Sequence, residues 1–299
     1  MITNSYSIQE SEKKSKFVVR AVVLCLLAAI CYSSMNLLIK LITNDTTESM
    51  AVFFRSVISS IWVTVVFIYK RLNGKCFPIK TKHFGLQLLR AVTSFAALLA
   101  LYHTIKYAPL VDANALYMSY TLFIPFLGAV FFGTKTNIKN WLAIVVGFIG
   151  ILFILKPYSS NFNPVTLIAL ISSLATATSF LVLYELAKHD KPHTILLYYF
   201  YLMALLSGVS VILNWQLPSI KSMAYLLLIG AIGTAYHEFL TRSMLYAPPK
   251  VVGPLLYSSI LFSGIFDWIF WKHIPDMCFW IGAILVILGC VFSIRYTSD

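Results

Sequence analysis

Charge is scarce in this chain. Asp, Glu, Lys and Arg make up 11% of its residues, against 59% that are hydrophobic. A soluble domain carries about 25% charged residues, so the composition excludes a water-soluble globular protein and points to repeated membrane crossing. Long polar stretches are missing as well. Nearly all of the 299 residues fall in apolar runs or in the short loops between them, which leaves no room for a soluble domain. Cysteine is sparse and unpatterned: Cys25, Cys31, Cys76, Cys278 and Cys290 show no paired metal-ligand spacing. Within an apolar run a free Cys acts as a small hydrophobe, so neither a disulfide nor a metal site is expected. Catalytic signatures are lacking too. There is no His-Glu-x-x-His, no Gly-rich phosphate loop, no Cys-x-x-Cys and no Ser/His/Asp order at motif spacing. His237-Glu238 lacks the second His of a zinc motif. The chain therefore reads as neither an enzyme nor a cofactor carrier. No Gly-rich half-span of the kind that builds a channel filter is present. Composition alone leaves a non-transporting membrane scaffold open.

What is abundant is the apolar run of about 20 residues, the length that crosses a bilayer as a helix. Ten fit, at 19–41, 50–69, 84–104, 111–132, 138–155, 164–186, 194–213, 222–245, 251–270 and 277–295. Connections such as Ala108 to Leu110 and Pro248 to Lys250 are so short that neighbouring spans must form antiparallel hairpins. The polar residues 1–16 are expected to be disordered. Lys13, Lys14, Lys16 and Arg20 resemble the start of a signal peptide. The run behind them is long enough to span and lacks a small-residue cleavage site, so it reads as an uncleaved first span.

The chain also resembles itself. Trp141 to Gly150 aligns with Trp280 to Gly289 at a shift of 139 residues, and Tyr107-Ala108-Pro109 aligns with Tyr246-Ala247-Pro248 at the same shift. Leu116-Tyr117 and Leu256-Tyr257 follow, the second displaced by one residue. Each copy holds five spans. Five is odd, so the second copy lies inverted relative to the first, the arrangement common in secondary transporters. The expected fold is an all-α integral membrane protein of ten transmembrane helices in two inverted five-helix repeats. Its parts are a polar tail (1–18), a first repeat (19–156), an external linker (157–163), a second repeat (164–295) and a short tail (296–299).

Lys and Arg orient it. With the N-terminus cytoplasmic, fifteen of them fall on inside segments and four (Lys106, Lys156, Lys221, Lys272) on outside loops. Both termini are expected on the cytoplasmic side. The net charge of +12 is scattered over short loops, where topology and anionic lipid account for it better than nucleic acid does.

Ionisable groups inside a bilayer are costly, which makes each a candidate for function. Glu238 and Arg242 in span eight are four residues apart and so share a helix face. Glu238 either receives a substrate ammonium or a proton, or forms an internal ion pair with Arg242. Arg90 is a candidate for a substrate carboxylate. Asn36 would orient substrate by hydrogen bonds, since a buried amide needs several partners. Tyr117 and Tyr257, related by the repeat, would form aromatic walls that suit a cationic or zwitterionic ligand. Arg55, His103, Glu185, His237 and Arg242 read as gate or rim residues. Lys40 and Asp112 are expected to pair near the outer ends of their spans.

Several short motifs carry a family likeness: Phe53-Phe54-Arg55, Leu89-Arg90-Ala91, Tyr107-Ala108-Pro109, Pro125, and the Gly147/Gly150 helix ending in Leu155-Lys156-Pro157. In their order and spacing the chain resembles the EamA-like branch of the drug/metabolite transporter superfamily, over about residues 20 to 295. The stretch from Val146 through Lys156-Pro157 to Pro164 resembles S-adenosylmethionine carriers of obligate intracellular bacteria. The family often places a Glu after spans four and nine; here Phe132-Gly133-Thr134 and Trp271-Lys272-His273 stand instead. The resemblance implies a carrier of the bacterial inner membrane that moves a small polar metabolite by alternating access. Uptake or exchange of S-adenosylmethionine is one reading, and export of amino acids or drug-like compounds the other. The expected partners are substrate and lipid. The sequence gives no oligomeric state.

Overall fold

The computed structural model describes residues 2–73, 80–132, 138–156, 163–213, 218–246 and 255–296, and no strand occurs among them. Hydrocarbon offers no water to backbone N–H and C=O groups, so apolar segments of this length satisfy them internally as helices. Those helices are α1 (Ile2–Ile42), α2 (Glu48–Leu72), α3 (Phe84–Tyr107), α4 (Leu110–Met118), α5 (Tyr120–Phe132), α6 (Ile138–Leu155), α7 (Thr166–Ala187), α8 (Pro192–Leu213), α9 (Ile220–Tyr246), α10 (Ser258–Trp271) and α11 (Met277–Tyr296). Seven stretches are long and apolar enough to cross a membrane: Val19–Ile42, Glu48–Leu72, Phe84–Tyr107, Leu110–Gly128, Thr166–Ala187, His193–Leu213 and Ile220–Leu240. Trp141–Leu155, Ser258–Trp271 and Met277–Gly289 are apolar but shorter.

Two local expectations change. The N-terminal stretch expected to be disordered continues α1 as helix from Ile2. The run 111–132 is not one helix: the chain turns at Ser119, between α4 and α5. The residues between Pro248 and Lys250, the linker residues 157–162 and the terminal 297–299 lie outside the described residues.

Helix pairing crosses from one half of the sequence to the other. α1 packs along α9, α3 along α7, α2 along α8, and α6 along α11. The α6–α11 seam is glycine-lined. A Cβ on Gly150 would lie 2.6 Å from the Gly282 carbonyl oxygen, and one on Gly289 would lie 2.7 Å from the Gly147 backbone. Only hydrogen at those positions lets the backbones approach so closely, the usual role of small residues between membrane helices. Hydroxyl pairs join other seams: Ser94 with Ser179 (2.6 Å), Ser59 with Thr234 (3.0 Å) and Ser49 with Ser210 (2.7 Å).

Candidate functional site

The centre of the bundle is aromatic and basic. Arg55 of α2 and Arg90 of α3 are both buried, at 6% and 8% exposure. Arg55 donates through Nη1 to the Tyr102 hydroxyl (3.0 Å), and its Nη2 lies 3.1 Å from His237 Nε2. Guanidinium has no acceptor, so Nε2 carries the lone pair and His237 meets Arg55 as a neutral imidazole. Arg90 rests its guanidinium over the Tyr199 ring, 4.3 Å from the centroid. The ring face offers partial negative charge but no hydrogen-bond acceptor, and Arg90 Nη1 has no partner.

Rings continue outward from this pair. His237 packs against Phe200 (5.4 Å) and Tyr236 (4.9 Å). Tyr236 meets Tyr32 (5.4 Å), which stacks on Tyr117 (5.9 Å). Tyr117 adjoins Tyr120 (5.7 Å), which stacks on Phe180 (5.0 Å). The result is a connected aromatic wall drawn from α1, α4, α5, α7, α8 and α9.

Beside it runs a wholly buried polar chain. Asn36 Nδ2 donates to Asn114 Oδ1 (2.8 Å), Asn114 donates to Ser263, Ser263 donates to Ser33 (3.3 Å), and Ser33 donates to the Ser259 carbonyl (2.8 Å). These bonds tie α1 to α4 and α10. The Asn36 Oδ1, Ser259 Oγ and Tyr32 hydroxyl groups keep free hydrogen-bonding capacity. Tyr257 reaches across to the break after Met118, where its hydroxyl faces the Met118 carbonyl (3.4 Å) and bonds with Thr121. That carbonyl lies at the turn between two helices, where the Tyr257 and Thr121 hydroxyls both donate to it (3.4 and 3.3 Å).

The two ends of the bundle hold the paired charges. At one end Lys40 meets Asp267 (3.2 Å) and donates to the Ala108 carbonyl (3.1 Å), while Asp267 also accepts from the Val111 N–H (2.8 Å). The expected pairing of Lys40 with Asp112 does not form; buried Asp267 already faces Lys40 from α10. Nearby, Lys156 pairs with Asp276 (2.5 Å), beside an open polar cavity lined by Asp112, Asn163, Thr166 and His273. Burial alone would raise the Asp276 carboxyl, but the Lys156 ammonium and the Phe279 N–H outweigh it and hold the group below the usual range. At the opposite end Asp190 accepts from Thr81 (2.6 Å) and Gln87 (3.0 Å), and Lys70 lies 3.0 Å from His193.

The structure thus brings Arg55, Arg90, His237 and Tyr117 into one cluster, with Asn36 and Tyr257 in the adjoining polar layer. Glu238 is set apart. Its carboxylate takes Arg242 Nη2 at 2.7 Å and Nε at 2.8 Å, with the two side chains 39% and 59% exposed. It borders a side groove of about 440 Å³ lined mainly by Ile58, Ile61, Trp62, Val65 and Phe239. The reason is helical geometry: successive residues turn by 100°, so His237 facing the centre turns Glu238 away from it. The pair expected to be internal therefore lies on the bundle's flank. His103 pairs with Glu48 (3.2 Å), and Glu185 pairs with Lys188 (2.7 Å) at the other end. Arg55, read as a gate, is part of the centre.

Sequence reasoning passed over Tyr199, Asn114 and Ser263. Asn114 carried the same signal as Asn36, an amide in an apolar run. Tyr199 is one of four adjacent aromatic residues from Tyr198 to Tyr201, and nothing in that run marks which faces inward.

Comparison with known proteins identifies the scaffold. The model of the EamA-like transporter family matches residues 19–156 and again residues 163–295. The chain belongs to that family. Among its relatives, the pseudopaline exporter of Pseudomonas aeruginosa (strain PAO1) is 27% identical over 276 residues, covering 90% of this chain and 94% of that protein. The riboflavin transporter of Vibrio cholerae is 25% identical, over 80% and 81% of the two chains. The S-adenosylmethionine uptake transporter of Rickettsia bellii is 22% identical, over 90% and 91%. A solved crystal structure shares the fold with a TM-score of 0.62 at 14% identity, covering 96% of this chain and 99% of that one. This EamA-like protein is a multi-pass membrane transporter of small molecules.

Proposed function

We propose that this EamA-like protein is a ten-span secondary carrier of the bacterial inner membrane, with both termini cytoplasmic. It moves a small polar metabolite bearing a carboxylate by alternating access. The observation that carries the reading is the Arg55–Arg90–His237 cluster, buried between the halves and walled by aromatic rings. Two matches of one family model and the cross-half pairing of α1 with α9 and α3 with α7 support the inverted-repeat frame. If the first half maps onto the second by a shift of five spans, the pairing of spans one and eight becomes that of six and three. That is the relation inverted repeats produce.

In this scheme the substrate carboxylate takes the guanidinium of Arg90, with Arg55 held beside it by Tyr102 and His237. Tyr117 and Tyr32 cover the apolar part, and the free Asn36 Oδ1 receives a donor. Tyr257 closes the turn at Ser119. The Lys40–Asp267 and Lys156–Asp276 pairs close the outer end, and the contacts of Asp190 and Lys70 close the inner one. Opening either end breaks contacts between halves while the central cluster stays in place.

Two substrate readings stand: inward movement or exchange of S-adenosylmethionine, which the Rickettsia relatives support, and outward movement of amino acids or drug-like compounds, which the family resemblance implies. The test is uptake into proteoliposomes of labelled S-adenosylmethionine beside a panel of amino acids and organic acids. Saturable flux of one of them is expected. No flux for any member would sink the substrate classes proposed here.

A further inference from the structure

The charge at the centre points to a substrate class different from those two readings, one that rests on the carrier reading above. Arg55 and Arg90 bring two permanent positive charges into the interior, since guanidinium does not deprotonate in proteins. Among the described residues neither forms an ion pair, and the carboxylates are committed elsewhere. Glu238 is held by Arg242, Asp267 by Lys40, Asp276 by Lys156, Glu48 by His103 and Glu185 by Lys188. Asp190 accepts from Thr81 and Gln87, Asp45 from Ser222, and Asp112 lines the cavity at the Lys156 end. What the two arginines do touch is neutral: a phenol, an imidazole lone pair and a ring face. Such contacts offset only part of what it costs to bury an unpaired charge.

We infer that this central site binds an organic dianion, a dicarboxylate with one negative group on Arg55 and the other on Arg90, its body covered by the tyrosine wall. A dianion supplies both missing countercharges and an acceptor for the free Arg90 Nη1. A zwitterion supplies one negative charge and adds a third positive one, for which the centre holds no carboxylate. A cationic sulfonium amino acid such as S-adenosylmethionine adds a fourth.

The experiment measures purified protein twice, by titration in detergent and by flux in proteoliposomes. The probes are succinate, glutarate and phthalate, set against acetate, alanine and S-adenosylmethionine. At least one dicarboxylate should bind and cross at least tenfold better than all three of the others. In Arg90→Gln and Arg55→Gln that ligand should weaken roughly 10- to 100-fold, the scale of one lost charge-assisted bond. Arg90→Lys, which keeps the charge, should recover part of it. Flux of alanine or S-adenosylmethionine with no binding of any dicarboxylate would overturn the inference and leave the carrier reading intact. Dicarboxylate binding without flux of any probe would support the inference and count against the carrier.

Discussion

Arg242 and the Arg55–Arg90 pair are the same side chain in opposite settings. On the flank, Arg242 is half exposed and still holds Glu238 one helical turn away. In the interior, where an unpaired charge costs most, Arg55 and Arg90 have no carboxylate at all among the described residues. Lys40 makes the contrast sharper, for it is also largely buried and has Asp267 at 3.2 Å. Where a buried cation serves structure, this chain supplies its counterion. Among the described residues the central pair has none, as the proposed anion site would need if its ligand is to load and leave.

The strongest way to break the comparison is to give the centre its own carboxylate. His237→Glu would set a carboxylate where the Nε2 now lies, 3.1 Å from Arg55. The interior would then resemble the flank. Flux should fall by about two orders of magnitude, because substrate must displace a charge-assisted pair, while the midpoint of thermal unfolding rises. Flux near that of the parent protein would show that the vacancy has no role.

The reverse change comes second. Asp267→Asn strips the buried counterion from Lys40, and breaking a buried pair costs about 3–5 kcal/mol. Unfolding in detergent should shift by several degrees or more. The double variant Lys40→Met/Asp267→Leu should regain most of the loss, because the cost lies in the stranded charge. A double variant as unstable as the single one would assign the loss to the Val111 N–H contact instead.

Third is the exposed pair at the end of the bundle. Asp276 is half exposed against Lys156, and an exposed pair contributes about 0–1 kcal/mol. Its carboxyl is held below the ordinary Asp value of about 3.9. A depressed carboxyl contributes above its unfolded value and loses that contribution as pH falls through its folded one. The contact should thus persist through neutral and mildly acidic conditions and release only below the usual Asp range. Asp276→Asn should change flux less than about threefold at pH 7. A pH profile that breaks between 5 and 7 in the parent protein and not in the variant would contradict this.

Much of the helical frame was legible in the sequence. Apolar run length depends on local composition, and seven of the runs form helices long and apolar enough to cross a membrane. Arg55 and Arg90 also stood out, as charges in apolar runs. What the sequence could not show was which residues meet. Arg55 and His237 are 182 positions apart, and Tyr199 becomes part of the site only because α8 lays it under Arg90. The break at Ser119 was hidden too, since Ser is ordinary within a membrane helix and no Gly or Pro stands at that position. Glu238 misled for a related reason: depth along a helix is readable from sequence, but the face it occupies depends on what packs beside it.

That last point yields the smallest expected effect. Glu238→Gln keeps the size of the side chain and removes the charge that holds Arg242. Both groups lie on the flank, more than a third exposed, so Arg242 is not stranded in the interior when its partner goes. An exposed i,i+4 pair is worth about 0.3–0.5 kcal/mol, so unfolding should shift by about a degree. Flux should stay within about twofold, the factor that corresponds to such an energy. A carrier that used Glu238 for an ammonium or a proton would instead lose transport in a folded variant. The same purified protein gives both numbers, unfolding midpoint and flux. A large loss of flux at unchanged stability would move the binding site from the arginine centre to the α2–α9 groove.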